Sequence, residues 1–305
     1  MPAATPGSIG LQLLDAPVAG RGDPRAQLYI TDHLAPGTSI RRRVRLTNTT
    51  GSTVRVTMYA GDATIGHGAF LGAAGRGRGE PSAWTSIAPA VSQLQAGGGA
   101  TTTVTIRVPD SAAPGERYGI AWAEVRDAPG AGGGITQVSR VGIRLYISVG
   151  PGGAPAADFA IDSVRAERSA DGLPMVVATV RNTGGRALDM NGTVALARGP
   201  GGLSAGPFPA RLGTTLGIGD TERVTTFLDR QMPSGPWAAR VTLRSGLLQR
   251  KAHATITFPG ASGESSDHWI ALAGALGLLL LLTAGMTHRR RRRAPLLTLP
   301  LINNQ

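Results

Sequence analysis

The residue types that most often carry enzyme chemistry are few in this sequence, and they do not stand at catalytic spacings. There is no cysteine, so no thiolate can serve as a nucleophile or a metal ligand. No histidine stands three or four residues from another metal-ligating type in a helical pattern, as a zinc motif of that kind requires. The five histidines are His33, His67, His253, His268 and His288.

Other motifs that serve catalysis or cofactor binding are also missing. No Gly-x-Ser-x-Gly elbow precedes a helix. The glycines Gly75, Gly77 and Gly79 lack the strand-to-helix context of a dinucleotide site. Asp127, Asp158 and the other acids are too scattered for a calcium loop. We therefore predict that the chain is not an enzyme, with no catalytic, metal or cofactor-binding residues and no cofactor.

Positive charge is the strongest chemical bias of the chain. The net charge is +12 at neutral pH, which favours anionic surroundings. Arg76 and Arg78 lie in a glycine-rich segment, 61–81, that we predict to be a long loop. Because loops on rigid β scaffolds often carry binding residues, these two arginines are candidate ligand contacts, and flexible filler is the alternative. The arginines form no helical stripe interleaved with aromatics, so we expect no nucleic-acid partner.

The elements that would position these residues are strands. Apolar and polar residues alternate over 40–47 and again over 54–60, with the turn residues Asn48-Thr49-Thr50-Gly51 between them. This pattern predicts a hairpin-like pair of strands. The turn Asn182-Thr183-Gly184-Gly185 repeats this arrangement later in the chain. Further strands are predicted at 28–31, 102–108, 118–125, 141–149, 159–164, 175–180, 224–228 and 252–258.

The predicted fold class is all-β, with two tandem Ig-like β-sandwich domains followed by one transmembrane α-helix. A stretch rich in glycine and proline, 150–155, suggests the linker between the domains. The predicted boundaries are an irregular segment 1–24, a first sandwich 25–150, a linker 151–157, a second sandwich 158–259, a stalk 260–268, a transmembrane helix 269–287 and a basic cytoplasmic tail 288–305.

The transmembrane prediction rests on an uncharged apolar run that begins at Trp269. Eighteen residues from Trp269 to Met286 would span about 27 Å as a helix, close to the hydrocarbon core of about 30 Å. The tryptophan and the arginines that follow are the predicted membrane anchor: Trp269, Arg289, Arg290, Arg291, Arg292 and Arg293. The positive-inside rule then predicts a single-pass plasma-membrane protein with extracellular N-terminal domains. Because 1–10 does not read as a signal peptide, we expect one encoded upstream of Met1.

Several stretches of the first domain resemble the WxL-interacting proteins of Gram-positive cell surfaces. They are Tyr29-Ile30, Pro36-Gly37, Asn48-Thr49, Met58-Tyr59-Ala60, Trp84, Pro109 and 114–118. The scarcity of lysine, with Lys251 alone among 31 basic residues, points to an actinobacterial-type member. The resemblance implies a first domain that binds peptidoglycan and a second that docks a surface protein.

The main functional hypothesis is therefore a membrane-anchored cell-surface scaffold that attaches to peptidoglycan and docks a surface partner protein. The expected partners are membrane lipid, peptidoglycan or an anionic wall polymer, and a surface protein. An alternative is an accessory ectodomain subunit that chaperones or senses an envelope protein. An envelope hydrolase is a third hypothesis, but it would need an acid pair or nucleophile that the sequence does not display.

Overall fold

A computed structural model describes residues 8–17, 20, 22–73, 75–126, 137–211 and 213–260. Strands make up about 58% of the described residues. The longest helix among them, α1, covers only Pro24–Leu28. The predicted all-β class is confirmed, and the structure is of the β-sandwich type.

Ten strands form the part of the chain before the glycine-proline stretch, called here the N-terminal region. They are β1 (Ile9–Leu13), β2 (Ile30–Leu34), β3 (Ser39–Asn48), β4 (Val54–Gly66), β5 (Ala69–Gly72), β6 (Thr85–Ala88), β7 (Val91–Leu94), β8 (Gly99–Arg107), β9 (Gly115–Arg126) and β10 (Val138–Val149).

Two sheets face each other in the N-terminal region. One has the strand order β1-β3-β8-β6, and the other has the order β2-β10-β9-β4-β5, with β7 also paired to β4. The predicted hairpin of β3 and β4 is wrong, because the two strands belong to different sheets. The turn after Asn48 carries the chain from one sheet to the other. Alternation predicted each strand correctly but could not show which strand it pairs with, because pairing is a non-local choice.

Alternate residues of both sheets point inward and form the core. One buried cluster contains Ile30, Val44, Val104, Leu145 and their neighbours. A second cluster, nearer one end, contains Leu46, Val56, Met58, Leu94 and Ala123. Every member of both clusters is at most 8% exposed. Burial of these apolar side chains is the main force that holds the two sheets together.

Nine strands form the C-terminal region. They are β11 (Phe159–Arg168), β12 (Pro174–Asn182), β13 (Leu188–Asp189), β14 (Asn191–Ala197), β15 (Ala205–Pro209), β16 (Thr215–Leu216), β17 (Thr221–Phe227), β18 (Trp237–Ser245) and β19 (Leu248–Ile256).

The C-terminal strands form a sheet β11-β12-β17, a sheet β15-β14-β18-β19 and a short pair β13-β16. Their core is a separate cluster of buried residues. Its largest members are Phe159, Trp237 and Phe258, each at most 2% exposed. The indole N–H of Trp237 donates to the carbonyl of Pro233 at 2.9 Å, so the buried ring leaves no polar atom unpaired.

The two asparagine turns have the same side-chain geometry. Asn48 donates to the carbonyls of Ser52, Leu94 and Gln95 at 2.8–3.1 Å. Asn182 likewise donates to three carbonyls at 2.8–3.4 Å, those of Arg186, Leu216 and Gly217. Each asparagine is nearly fully buried at the end of a strand, and its amide group links the backbone of two separate segments.

Three local predictions differ from the structure. The segment predicted to be irregular contains β1, and the strand predicted from Leu28 begins instead at Ile30, after α1, whose N-cap is Asp23. The predicted loop 61–81 begins as a β hairpin, because β4 continues to Gly66 and pairs with β5. An apolar run of three or four residues next to glycines carries too little periodicity to predict such short strands.

Both β regions belong to one compact unit, which ends at Pro259. The predicted transmembrane helix, 269–287, and the anchor residues lie outside the described residues. Within the described part of the chain, no helix is long and apolar enough to cross a bilayer.

Candidate functional site

The clearest opening in the architecture is the edge of β10. This strand pairs with β9 along its whole length, from Val138 to Val149. On its other side β2 pairs with it only from Leu145 to Val149. In the described parts of the chain, no strand covers Val138 to Arg144 on that side. A free strand edge is a template for pairing with another chain.

A groove of about 360 Å³ lies at this open edge, between the two sheets of the N-terminal region. Its apolar lining is Ile9, Val54, Val125 and Val141. These four side chains are only partly buried, and they pack on the core cluster that contains Met58. The groove therefore exposes the end of a hydrophobic core beside the unpaired edge of β10.

The opposite face of the β10 sheet carries a charged cluster next to the same edge. Glu124 is 6% exposed and accepts hydrogen bonds from Tyr59 and Arg140, each at 2.7 Å, and from Arg126 at 2.5 Å. Burial by itself raises the pKa of Glu124, but the three donors outweigh burial and bring the pKa to about 2. The carboxylate thus stays charged and fixes Arg140 on β10.

The loop candidates Arg76 and Arg78 are both exposed. The guanidinium of Arg76 lies 5.4 Å from the ring centroid of Tyr59, a cation–π contact. The backbone N–H of Arg78 donates to Asp62 at 3.3 Å, and Ser82 also donates to this carboxylate. The structure thus places Arg76 beside the Glu124 cluster and leaves the Arg78 side chain free of any ion pair among the described residues.

A second polar cluster joins the two β regions around Asp189. Arg144 and Tyr146 of β10 donate to its Oδ1, each at 2.8 Å, and Thr215 donates to the same oxygen at 3.0 Å. Arg25 of α1 forms an ion pair with Oδ2 at 2.9 Å. Burial and the charge of Asp189 raise the pKa of Tyr146, so its hydroxyl remains a proton donor to the carboxylate.

Aromatic rings surround this joint. Tyr146 packs against Tyr29, Phe70 and Tyr118, with ring centroids 5.2–6.0 Å apart. Arg25 lies over the ring of Tyr146 at 4.8 Å. These packed rings and paired charges hold the two β regions together at one end of β10.

Glu116 also contributes to the contact between the regions. It accepts the backbone N–H of Ala187 at 2.6 Å and the hydroxyl of Tyr118 at 2.8 Å. Burial raises the pKa of Glu116. A polar cavity of about 600 Å³ lies next to these residues, between the two regions, and His33 and Arg186 are among its lining. This cavity belongs to the contact between the two regions.

Sequence reasoning missed the residues that form the groove. Val141 and Val125 appear in the sequence as ordinary inward positions of two strands. Nothing in the alternation shows that β2 stops short of them. The absence of a proline in 138–144 is the only local signal that this edge remains able to pair. Among the described residues, no three His, Asp or Glu side chains are grouped to hold a metal ion.

No protein-family model and no curated protein matches the chain. Its fold is similar to that of several solved structures. One is a chain of the Salmonella enterica SafA pilin in complex with the SafB chaperone, with 11% identity, a TM-score of 0.40, and coverage of 83% of this chain and 98% of that chain. Another belongs to the CsuC-CsuE chaperone-tip adhesion subunit pre-assembly complex of Acinetobacter baumannii, with 14% identity, a TM-score of 0.37, and coverage of 76% and 96%.

A third similar structure is the periplasmic chaperone SfaE, with 13% identity, a TM-score of 0.36, and coverage of 81% of this chain and 100% of that chain. Similarities at these scores assign no family. No family model matches the chain, that of the WxL-interacting proteins included. The predicted membership of the WxL-interacting family is therefore wrong.

The functional hypothesis drawn from that resemblance is wrong as well. The comparisons give no peptidoglycan-binding relative for the proposed membrane-anchored scaffold. Membrane lipid, peptidoglycan and an anionic wall polymer are likewise corrected as expected partners, because no family model and no curated relative supports them. The predicted single-pass plasma-membrane location is corrected too. No family model and no curated relative supports that location.

Proposed function

We propose that this chain is a non-enzymatic accessory protein that binds another protein by accepting one of its strands at the open edge of β10. The observation that carries the proposal is the unpaired edge from Val138 to Arg144 beside the apolar groove. A strand added there would gain main-chain hydrogen bonds from β10. Its inward side chains would cover Val54, Val125 and Val141, which is the usual mode of β-strand addition.

The chemistry of the edge defines the partner segment. Along β10 the inward positions, such as Val141 and Ile143, alternate with the outward positions, such as Arg140 and Gly142. An added strand must therefore alternate between apolar residues that enter the groove and polar residues that face solvent. A segment of this type is an aggregation hazard when it is exposed, so covering it would serve a chaperone.

This reading corresponds to an accessory ectodomain that chaperones or senses an envelope protein. The similar structures that hold pilin or tip subunits are compatible with it, although the open edge alone supports it here. In finer detail, we propose that 25–150 and 158–259 are two tandem Ig-like sandwich domains, joined by the linker 151–157. β1 extends the first domain toward the N-terminus. The domains have separate cores, and the Asp189 cluster fixes their contact.

Arg76 and Arg78 remain candidate contacts for the bound segment under this proposal. Arg76 stacks on Tyr59, which in turn donates to Glu124, and Glu124 also accepts from Arg140 on β10. A partner that bears a carboxylate near Arg140 would therefore meet a cluster with surplus positive charge.

The test is binding of a labelled strand-forming peptide that alternates valine and threonine, measured by fluorescence anisotropy with the full chain. Val141→Arg places a charge in the groove and is expected to weaken binding at least tenfold, because one buried large apolar contact contributes about 1.5–3 kcal/mol. The matched control is Val91→Arg, since Val91 also lies on an edge strand but is 45% exposed and outside the groove. It is expected to bind like the wild type.

Hydrogen exchange locates the bound peptide independently. Binding is expected to slow exchange of the backbone amides in 138–144 and to leave those of β7 unchanged. Equal weakening by the Val91 and Val141 variants, or protection confined to another strand, would show that β10 is not the binding edge.

A further inference from the structure

The outer face of the sheet β1-β3-β8-β6 carries a row of arginines. Arg41, Arg43 and Arg45 occupy alternate positions of β3 and point away from the core. Val44 and Leu46, on the opposite face of the strand, are fully buried. All three arginines are exposed. The row is straight because side chains on one face of a strand recur every two residues, about 6.6–6.8 Å apart.

Threonines form a parallel row on the neighbouring strand. Thr105, Thr103 and Thr101 of β8 stand directly opposite Arg41, Arg43 and Arg45. The four strands of this sheet are fully described and contain no acidic residue. The strands of this face therefore combine positive charge with hydroxyl groups that both donate and accept hydrogen bonds.

One carboxylate of the chain already binds the middle of the row. Asp15, which follows β1, accepts from Nη2 of Arg43 at 2.7 Å, from its Nε at 3.0 Å and from its backbone N–H at 2.8 Å. The hydrogen bonds from Arg43 lower the pKa of Asp15 to about 2. Arg41 and Arg45, two residues to either side, have no side-chain hydrogen bond or ion pair to any described residue.

We propose that the outward face of β3 docks an extended acidic polypeptide segment in which two carboxylates four residues apart bind Arg41 and Arg45 as Asp15 binds Arg43. Side chains on one face of an extended peptide recur at the spacing of the row, so a segment that runs along β3 brings two such carboxylates into register on either side of Arg43. Guanidinium groups bind carboxylates in a two-pronged geometry that lysine does not offer. The threonine hydroxyls can bond the polar atoms of the segment between the carboxylates.

This docking surface is separate from the edge of β10. Its arginines lie on the solvent side of one sheet, whereas the groove opens between the two sheets. A failure of one proposal is therefore distinguishable from a failure of the other. The substitution Val141→Arg is expected to leave acidic-peptide binding unchanged, and substitutions in the arginine row are expected to leave binding of the Val-Thr peptide unchanged.

The experiment measures the anisotropy of a labelled peptide with glutamate at every fourth position and threonine between, titrated with the full chain at low salt. The double variant Arg41→Ser, Arg45→Ser is expected to weaken binding about fivefold, because it removes two ion pairs that are each exposed and therefore weak. The matched control is Arg240→Ser, Arg244→Ser, which removes the same charge at the same spacing from the outer face of β18. The control is expected to change binding less than about twofold.

Three results would overturn the proposal. One is equal weakening in both double variants, which would assign binding to net charge. Another is equal affinity for a peptide of the same composition with its glutamates in one block, which would remove the spacing argument. The third is that polyphosphate competes at the same charge concentration, which would indicate a general anion surface. Because all four arginines are exposed on strand faces, the variants are expected to fold, which circular dichroism checks.

Discussion

The two β regions contain the same type of asparagine turn, but their hydrophobic cores are completed differently. In both, a buried asparagine at a strand end bonds three backbone carbonyls. In the C-terminal region, Phe159, Trp237 and Phe258 fill the core. In the N-terminal region, no aromatic side chain is fully buried in the core clusters, and the groove at β10 remains open.

The aromatic residues of the N-terminal region lie mostly on the outer face of the β10 sheet. Tyr118 and Tyr146 pack there against Phe70 and form part of the joint between the regions. The C-terminal region therefore uses its large aromatic rings to complete its core, whereas the N-terminal region uses them to contact the C-terminal region. The second arrangement leaves apolar side chains at an open edge, where a partner can complete the core.

The largest effect is expected from Trp237→Ala. The ring is 1% exposed, and its removal leaves a cavity that should cost about 3–5 kcal/mol in the free energy of unfolding. Trp122→Ala, the comparison variant, removes a half-buried ring from the outer face of the β10 sheet and should cost about half as much. Urea denaturation followed by circular dichroism measures both. Equal losses would contradict the view that only the C-terminal core depends on its rings.

A smaller and matched effect is expected at the two asparagine turns. Asn48→Ala and Asn182→Ala each remove three side-chain hydrogen bonds to backbone carbonyls, so each should lower the free energy of unfolding by about 1–3 kcal/mol. The exposed Asn191→Ala is the control and should change stability by less than about 0.5 kcal/mol. If only one of the two buried-asparagine variants lost stability, the two turns would have similar sequences but different structural roles.

The smallest effect concerns pH and one glutamate of β9. The pKa of Glu124 is lowered in the folded state to about 2 from a reference value of 4.5. Its contribution to stability is therefore complete above the unfolded-state pKa and is lost as the pH falls from about 4.5 toward 2. Glu124→Gln should flatten this part of the pH dependence of the urea midpoint. An unchanged profile in the variant would show that Glu124 does not cause it.

Glu116, on the same strand, provides a contrast within this measurement. Burial raises its pKa, so its folded-state carboxyl holds a proton more tightly than in the unfolded chain. Its effect on stability has the opposite sign: protonation favours the folded state, and that advantage declines as the pH rises through its unfolded and then its folded pKa. Titration by NMR distinguishes the two residues.

The class of fold and most of the strands could be predicted from the alternation of apolar and polar residues. Period-two alternation placed β8, β9, β10, β12 and β19 to within a few residues, because one buried face imposes that pattern locally. The repeated asparagine turn was visible in the same way, since Asn in a turn after a strand has a local hydrogen-bonding role. The absence of cysteine was likewise visible in the composition.

Tertiary structure alone decided which strands pair, and with that the candidate sites. The sequence could not show that β3 and β4 belong to different sheets, or that β2 covers only half of β10. Nor could it show that Asp15 would bind Arg43, 28 residues away in the chain. Pairing depends on the whole set of competing non-local contacts, and a free edge has the same alternation as a paired one. Burial of a strand face can therefore be predicted from the sequence, whereas exposure of a strand edge depends on the assembled fold.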